Sequence, residues 1–158
     1  MSGGSKAHET LCLNLSTRLR PEARRRKCSI YQSGMKVYIA ASDAFYYPDV
    51  VTCSQSDAED DYFVRHPSLV VEVLSPSTEA LDRGTKFIDY RSLTSLQEYV
   101  LISQERIQVE KYRRIPSGLW EIHTYGPGDT LHLESLDYSC TVDDLYEDVR
   151  LSRGRGRE

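Results

Sequence analysis

The sequence has no apolar run long enough to span a bilayer, and its start lacks the basic, apolar and cleavage sections of a secretory signal. Its four cysteines stand at irregular distances without a C-x-x-C pair, so the sequence encodes neither a zinc ribbon nor a disulfide framework. It also has no internal repeat and no nucleotide-binding glycine loop. These absences predict a cytoplasmic protein without membrane contact, whose thiols are reduced and mostly buried.

Charge is unevenly distributed along the chain, although the net charge is only −4. Residues 1–36 hold eight Lys and Arg against two acids, and residues 37–149 hold eight against twenty-one. The strongly acidic body of the protein, residues 37–149, argues against a general nucleic-acid-coating protein, because neutralising phosphates requires a basic surface. Two basic segments, 18–27 and 150–157, could still make local contacts with nucleic acid. The alternative for each is a solvated charge run or a frayed end.

Length and composition are those of one folded domain. The 158 residues, of which 39% are hydrophobic and 28% charged, suffice for one core and are too few for two. We therefore expect a single domain whose core covers about residues 6–148, with flexible ends at 1–5 and 150–158.

The first half of the chain predicts one helix followed by strands. Leucines recur every four residues from Leu11 to Leu19 and predict an amphipathic helix that ends near Pro21. Short β-type runs follow at 28–31, 37–40 and 47–53, the first two joined as a hairpin around Ser33-Gly34.

The most apolar short run, 69–74, predicts a central strand. The acidic stretch before it, 55–66, predicts an exposed loop rather than a calcium site, because the calcium-loop spacing and its central glycine are absent. A helix over 81–93 follows. Alternating runs at 98–103, 106–112, 119–125 and 130–134 then predict a meander of strands, and 142–149 predicts a short helix with Thr141 as its N-cap.

Glu72 is the most informative residue for function, because it places a carboxylate within the apolar run 69–74. An unpaired charge inside a sheet is very costly, so Glu72 requires a compensating partner. Side chains alternate along a strand, which puts Glu72 on one face with Val70 and Leu74. A position at a sheet edge or a buried ion pair would also account for it.

Asp49 and Lys86 add the other residue types that metal-dependent phosphodiester hydrolysis uses. Asp49 begins a second β-type run after Pro48, and two acids on adjacent strands would each need a cation such as Mg²⁺ or Mn²⁺. Lys86 could orient the attacking water or stabilise developing negative charge. Without that context, Lys86 would simply form a surface pair with Asp82, one helical turn earlier, and Tyr90, one turn later, would pack the helix on the sheet.

Four segments carry a family resemblance: Tyr-Pro-Asp-Val-Val at 47–51, Leu-Val-Val-Glu-Val-Leu-Ser-Pro-Ser-Thr at 69–78, the series Asp82, Lys86 and Tyr90, and Ser-Leu-Gln-Glu-Tyr-Val at 95–100. In these segments the sequence resembles the Uma-type restriction endonucleases, a family in the PD-(D/E)XK nuclease superfamily. The domain that defines this family is a domain of unknown function. The likeness runs from about Gly3 to Asp148.

The resemblance implies an α/β fold of the restriction-endonuclease type, a mixed β-sheet flanked by helices, with a C-terminal strand meander. It also implies an endonuclease that depends on Mg²⁺ or Mn²⁺, hydrolyses DNA phosphodiester bonds and is often a homodimer. Asp49 and Glu72 would hold the metal, with the backbone carbonyl of Val73 as a further ligand, and Lys86 would complete the catalytic set.

Leu74 departs from the superfamily pattern, because a lysine normally stands two residues after the glutamate. Lys86 is the substitute that the resemblance implies. His8 and Glu9 match the family's first helix, where a polar side chain can approach the metal, and an exposed place near the helix start is the alternative for both.

Two functions of different classes remain open. One is the metal-dependent endonuclease, and the other is a catalytically silent module with the nuclease fold that binds DNA or a protein partner, since a fold does not guarantee an activity. Hydrolysis of some other phosphate ester is a third possibility, without a glycine loop to support it.

Overall fold

The computed structural model describes residues 4–56 and 60–152 and follows the expected order of helix, strands, helix and strands. The predictions made for the acidic residues at 57–59 and for the basic tail from 153 onward lie outside this range. The helices are α1 (Lys6–Arg25), α2 (Glu79–Arg83), α3 (Thr85–Arg91) and α4 (Val142–Leu145). The strands are β1 (Cys28–Gln32), β2 (Lys36–Ile39), β3 (Ala44–Tyr46), β4 (Val50–Ser54), β5 (Phe63–Val64), β6 (Pro67–Leu74), β7 (Glu98–Ser103), β8 (Val109–Arg114), β9 (Trp120–Tyr125), β10 (Thr130–Leu133) and β11 (Tyr138–Thr141).

Six strands form a mixed sheet in the order β1-β4-β6-β7-β8-β9. β6 and β7 run parallel, whereas the other neighbouring pairs are antiparallel. β6 has hydrogen-bonded neighbours on both sides, and β7, β8 and β9 follow one another as a meander. The structure therefore confirms the predicted mixed sheet, its central strand and the first three strands of the C-terminal meander. The fourth predicted run, β10, instead pairs with β11 in a separate two-stranded sheet.

The alternation along β6 sends its side chains into two separate cores. Leu69, Val71 and Val73 pack in a core with the leucines of α1. Val70 and Leu74 pack in a second core with the buried tyrosines of α3, β7 and β8. Because Glu72 alternates with Val71 and Val73, its carboxylate lies on the second, aromatic side of the sheet.

α1 continues past Pro21 and ends at Arg25, so the predicted end near Pro21 is wrong. A proline inside a helix removes one main-chain hydrogen bond and crowds the preceding turn. The apolar face nevertheless extends beyond it, since Ala23 is as fully buried as Leu19. Burial of this last turn and favourable basic residues at the C-terminal end outweigh the cost of the proline.

The predicted hairpin of runs 28–31 and 37–40 is also wrong. β1 pairs with β4, whereas β2 pairs with β3 and β5 in a separate three-stranded sheet. Ser33, whose φ is 59°, donates its N–H to the carbonyl of Asp49 at 3.0 Å instead of closing a turn between β1 and β2. The end of β1 is thereby held beside the start of β4.

Three other segments differ from their predicted secondary structure or bounds. The helix expected over 81–93 is two short helices, because Gly84 adopts φ −104° and ψ −103° between them. The loop expected over 55–66 contains β5, whose Val64 is buried. The helix expected over 142–149 ends at Leu145 and is capped by Thr141 as predicted, and a strand that was not predicted, β11, precedes it.

None of the four cysteines, all of which the structure describes, is in a disulfide, and Cys12, Cys53 and Cys140 are buried. Over the described part of the chain, no helix combines the length and hydropathy that crossing a membrane requires.

A buried charged network ties the meander to the β10–β11 hairpin. Lys111, only 2% exposed, donates to the Glu134 carboxylate at 2.8 Å and to the carbonyl of His132 at 2.7 Å. The fully buried Glu98 carboxylate lies 3.9 Å from Lys111 Nζ and accepts hydrogen bonds from the N–H groups of Glu134 and Ser135. Burial raises the pKa of Glu98 to about 7.

We predict that Glu98→Gln removes a pH-dependent part of the free energy of unfolding. Because the pKa of Glu98 is about 7 in the folded protein and 4.5 in the unfolded chain, the native state binds more protons between these values. The contribution is fully present below the unfolded pKa and is lost as the pH rises through the folded pKa. From about pH 5 to about pH 8, the wild type should lose roughly 2 kcal/mol relative to Glu98→Gln in urea unfolding.

The exposed Glu105→Gln is the matched control and should show no such change with pH. A difference between the wild type and Glu98→Gln that stays constant over the same pH range would contradict the assignment of a raised pKa to Glu98.

Candidate metal centre

Asp49 and Glu72 come from neighbouring strands of the main sheet. Asp49 immediately precedes β4, whose first residue, Val50, lies opposite Val71 of β6. Asp49 Oδ2 accepts a hydrogen bond of 2.7 Å from the N–H of Val73, so its side chain continues the ladder where the main chain of β4 departs. The structure thus brings the Asp49 carboxylate beside β6 at Glu72 and Val73.

Glu72 carries a carboxylate that is buried almost completely. The residue is 4% exposed, and its Oε1 atom has no hydrogen-bond partner among the described residues. Burial raises the pKa of Glu72 well above its ordinary value; Lys86 opposes this shift and Asp49 adds to it. A further cation next to Oε1 would compensate both the burial and the repulsion from Asp49.

Lys86 extends from α3 between two acids. Its Nζ lies 2.9 Å from Asp82 Oδ1 and 3.8 Å from Glu72 Oε1. Asp82 is 1% exposed, so the pair that could have been a surface pair is buried. Burial disfavours the ammonium, but attraction to Glu72 and Asp82 outweighs it and raises the pKa of Lys86, which is therefore charged at neutral pH.

Two tyrosines pack around this lysine. Tyr90, expected to pack the helix on the sheet, is fully buried, with its ring 5.5 Å from Tyr46 and 5.4 Å from Tyr99 between centroids. Tyr46 was not singled out from the sequence, yet its ring lies 5.7 Å from Lys86 Nζ and its hydroxyl donates to Asp89. The sequence feature that could have identified Tyr46 is its position three residues before Asp49.

His8 reaches the centre from α1. Its Nε2 lies 3.0 Å from Asp49 Oδ1, and its Nδ1 lies 3.8 Å from Cys12 Sγ. The hydrogen bond with Asp49, followed by that with Cys12, raises the pKa of His8 to about 11, so the ring is protonated at neutral pH. The His8 side chain is only 18% exposed, whereas Glu9 is exposed, with its carboxylate 3.5 Å from His8 Nδ1.

Leu74 occupies the place where the superfamily pattern has a lysine. Its side chain is 6% exposed and belongs to the aromatic core. It supplies no charge to the centre, so Lys86 is the cation beside Glu72.

We predict that Glu72→Gln does not lower the free energy of unfolding in the presence of a metal chelator. The substitution removes a buried charge whose Oε1 has no hydrogen bond, while Lys86 keeps Asp82 as its partner. A buried charge without a hydrogen bond costs desolvation free energy that a neutral group of similar shape largely avoids, so the substitution should be neutral or stabilising. Urea unfolding of the chelated protein measures this difference.

Asp82→Asn is the matched comparison and should destabilise the protein, because it removes the 2.9 Å partner of a buried ammonium. If Glu72→Gln instead cost more than about 2 kcal/mol, Glu72 would be a structural ion-pair partner rather than a carboxylate kept for a ligand.

Comparison with known proteins identifies the family of this chain and supports its fold. The Uma2 family model, described as "Putative restriction endonuclease", matches residues 1–143. The "Uncharacterized protein slr1290" of Synechocystis sp. is 40% identical over 147 residues, which cover 92% of this chain and 77% of the relative. The "Uncharacterized protein sll1609" of the same organism is 37% identical over 123 residues, 76% of this chain and 70% of the relative.

A solved structure supports the same fold. The crystal structure of a "putative nuclease belonging to DUF820" from Anabaena variabilis has a TM-score of 0.77 and 15% sequence identity, covering 92% of this chain and 83% of that chain. At this identity the likeness concerns the fold alone, and it confirms the restriction-endonuclease-like α/β architecture. The family match and the two Synechocystis relatives together establish that this chain belongs to the Uma2 family.

Proposed function

We propose that this protein is a divalent-metal-dependent endonuclease that hydrolyses the phosphodiester bonds of DNA. The buried carboxylate of Glu72 carries this proposal, because its Oε1 lies without a hydrogen bond 3.8 Å from Lys86, and Asp49 repels its charge. Such a charge is unfavourable for stability alone, whereas a cation site requires it. The family description as restriction endonucleases and the nuclease designation of the Anabaena protein support the same conclusion.

The donor set fits a hard divalent cation such as Mg²⁺ or Mn²⁺. Asp49 and Glu72 would hold it through carboxylate oxygens, and the carbonyl of Val73 would be a third oxygen ligand. The N–H of Val73 binds Asp49, and in an extended strand the N–H and C=O of one residue point to the same edge. The Val73 carbonyl is therefore directed to the side of β6 where Asp49 lies. When bound, the ion would lower the pKa of a coordinated water and offset charge on the phosphate.

The remaining residues orient these groups. His8 and the N–H of Val73 each hold one oxygen of Asp49, which fixes the orientation of its carboxylate. Asp82 holds the Lys86 ammonium near Glu72, where it can donate to a water or to a phosphate oxygen. We assign Lys86 a catalytic role, and His8 and Asp82 positioning roles, with Tyr90 supporting the helix that carries Lys86.

DNA as the substrate has to be reconciled with the acidic body of the protein. Positive charge at the scissile phosphate would come locally, from the ion and from Lys86. Exposed arginines at the end of α1, such as Arg24, could contact the flanking backbone. The homodimer that the family resemblance implies stays a prediction.

We predict that substitutions of the three central residues differ in their effects on metal binding and on cleavage. Asp49→Asn and Glu72→Gln should weaken Mn²⁺ binding and abolish cleavage, because each removes an anionic ligand. Lys86→Ala should retain Mn²⁺ binding and lower kcat by roughly 10²- to 10³-fold, as expected for one stabilising donor. Calorimetric titration with Mn²⁺ and plasmid cleavage over a range of salt concentrations measure the two effects separately.

The exposed Glu105→Gln and Lys6→Ala are the charge-matched controls and should bind Mn²⁺ and cleave as the wild type does. Unchanged Mn²⁺ affinity in both Asp49→Asn and Glu72→Gln would show that the metal centre is misplaced. Mn²⁺ binding without cleavage of any DNA form would identify a catalytically silent member of the family.

A further inference from the structure

The side of α1 that approaches Asp49 carries a second set of donor atoms. His8 and Cys12 are four residues apart and Glu9 and Cys12 three, so these side chains are neighbours on the helix surface. His8 Nδ1 lies 3.8 Å from Cys12 Sγ and 3.5 Å from Glu9 Oε1. In the described parts of the chain, one group of His, Cys and acidic donors lies within 4.8 Å of one another, and it consists of His8, Cys12 and Asp49.

The two separations around His8 Nδ1 match those of a tetrahedral zinc ion. With Zn–S near 2.3 Å and Zn–N or Zn–O near 2.0 Å, tetrahedral S and N donors lie about 3.6 Å apart, and N and O donors about 3.4 Å apart. The corresponding distances here are 3.8 Å and 3.5 Å. One ion could therefore join His8 and Cys12 where they stand. Glu9 does not belong to the group of donors that lie within 4.8 Å of one another, so its exposed carboxylate would have to turn toward Cys12 to share the ion.

Gly4 leaves open the space that such an ion would need. A Cβ atom on Gly4 would lie 2.7 Å from His8 Nδ1 and 2.9 Å from Glu9 Oε1. Any other residue at this position would crowd the donor atoms. The opposite ring nitrogen, Nε2, lies 3.0 Å from Asp49 Oδ1, and a carboxylate in that place commonly orients a metal-bound imidazole.

We propose that His8, Glu9 and Cys12 form a binding site for a thiophilic divalent cation of the Zn²⁺ type, distinct from the oxygen-lined centre at Asp49 and Glu72. A thiolate and an imidazole select Zn²⁺ over Mg²⁺, whereas carboxylate and carbonyl oxygens suit Mg²⁺. The ion bonds to Sγ, Nδ1 and the Glu9 carboxylate, water completes the coordination, and the protons on Sγ and Nδ1 pass to solvent.

This site is linked to the hard-ion centre through the bond between His8 and Asp49. Zn²⁺ on Nδ1 fixes the imidazole and thereby the orientation of Asp49. Binding of Zn²⁺ does not require that the protein hydrolyse DNA, so the site can be tested independently of the proposed function.

Titration of the full chain with Co²⁺ in excess Mg²⁺, followed by displacement with Zn²⁺, tests this site. Thiolate-bound Co²⁺ absorbs in the near ultraviolet by charge transfer, and we expect this band to saturate at one ion per chain and to vanish on addition of Zn²⁺. Cys12→Ser should abolish the band. Glu9→Gln should weaken Co²⁺ binding by about tenfold or more, and Asp49→Asn by roughly 10- to 100-fold.

Cys28→Ser is the control, because this half-buried thiol on β1 lies outside the site, and it should keep the full band. Gly4→Ala leaves all donors in place and should lower Co²⁺ affinity without changing the circular dichroism spectrum, which separates loss of the site from misfolding. Absence of the band in the wild type, or its persistence in Cys12→Ser, would overturn the proposal. A lack of DNA cleavage would leave this optical result unaffected.

Discussion

A carboxylate in the middle of a central strand has to be stabilised by groups that other parts of the fold deliver. Glu72 lies on the aromatic side of β6, where solvent cannot screen its charge. Lys86 arrives from α3, Asp82 from α2 and Asp49 from the start of β4. The short helices after β6 therefore do more than cover the sheet, because they place a cation, with its own buried acidic partner, beside the one charge that β6 carries.

The centre also draws on the opposite side of the sheet. α1 packs against Leu69, Val71 and Val73, and this packing lets His8 reach Asp49 at the point where β4 begins. Since the main-chain pairing with β6 stops at Val50, the N–H of Val73 is left for the Asp49 side chain. Asp49 is thus held by one group from the strand and one from the helix. A carboxylate fixed in this way is preorganised to bind a ligand.

Local patterns in the sequence predicted part of the fold and of the site correctly. The apolar run around Glu72 predicts the central strand, and the spacing of Asp82 and Lys86 predicts their contact, since both depend on a few neighbouring residues. The pairing of β1 could not be predicted, because the residues around Ser33 are compatible with a hairpin and only tertiary contacts pair β1 with β4. The contact of His8 with Asp49 joins residues 41 positions apart, and no local pattern encodes it. The roles of Asp49 and Lys86 rested on the family resemblance as much as on physical argument.

Anomalous diffraction from crystals grown with Mn²⁺ tests the central claim most directly, because it locates the ion without depending on catalysis. We predict a peak about 2.1 Å from carboxylate oxygens of Asp49 and Glu72 and from the carbonyl of Val73, with Lys86 nearby. Crystals in which Mn²⁺ binds elsewhere, while Lys86 moves to make a direct ion pair with Glu72, would contradict it. Glu72 would then be a buried structural charge and not a metal ligand.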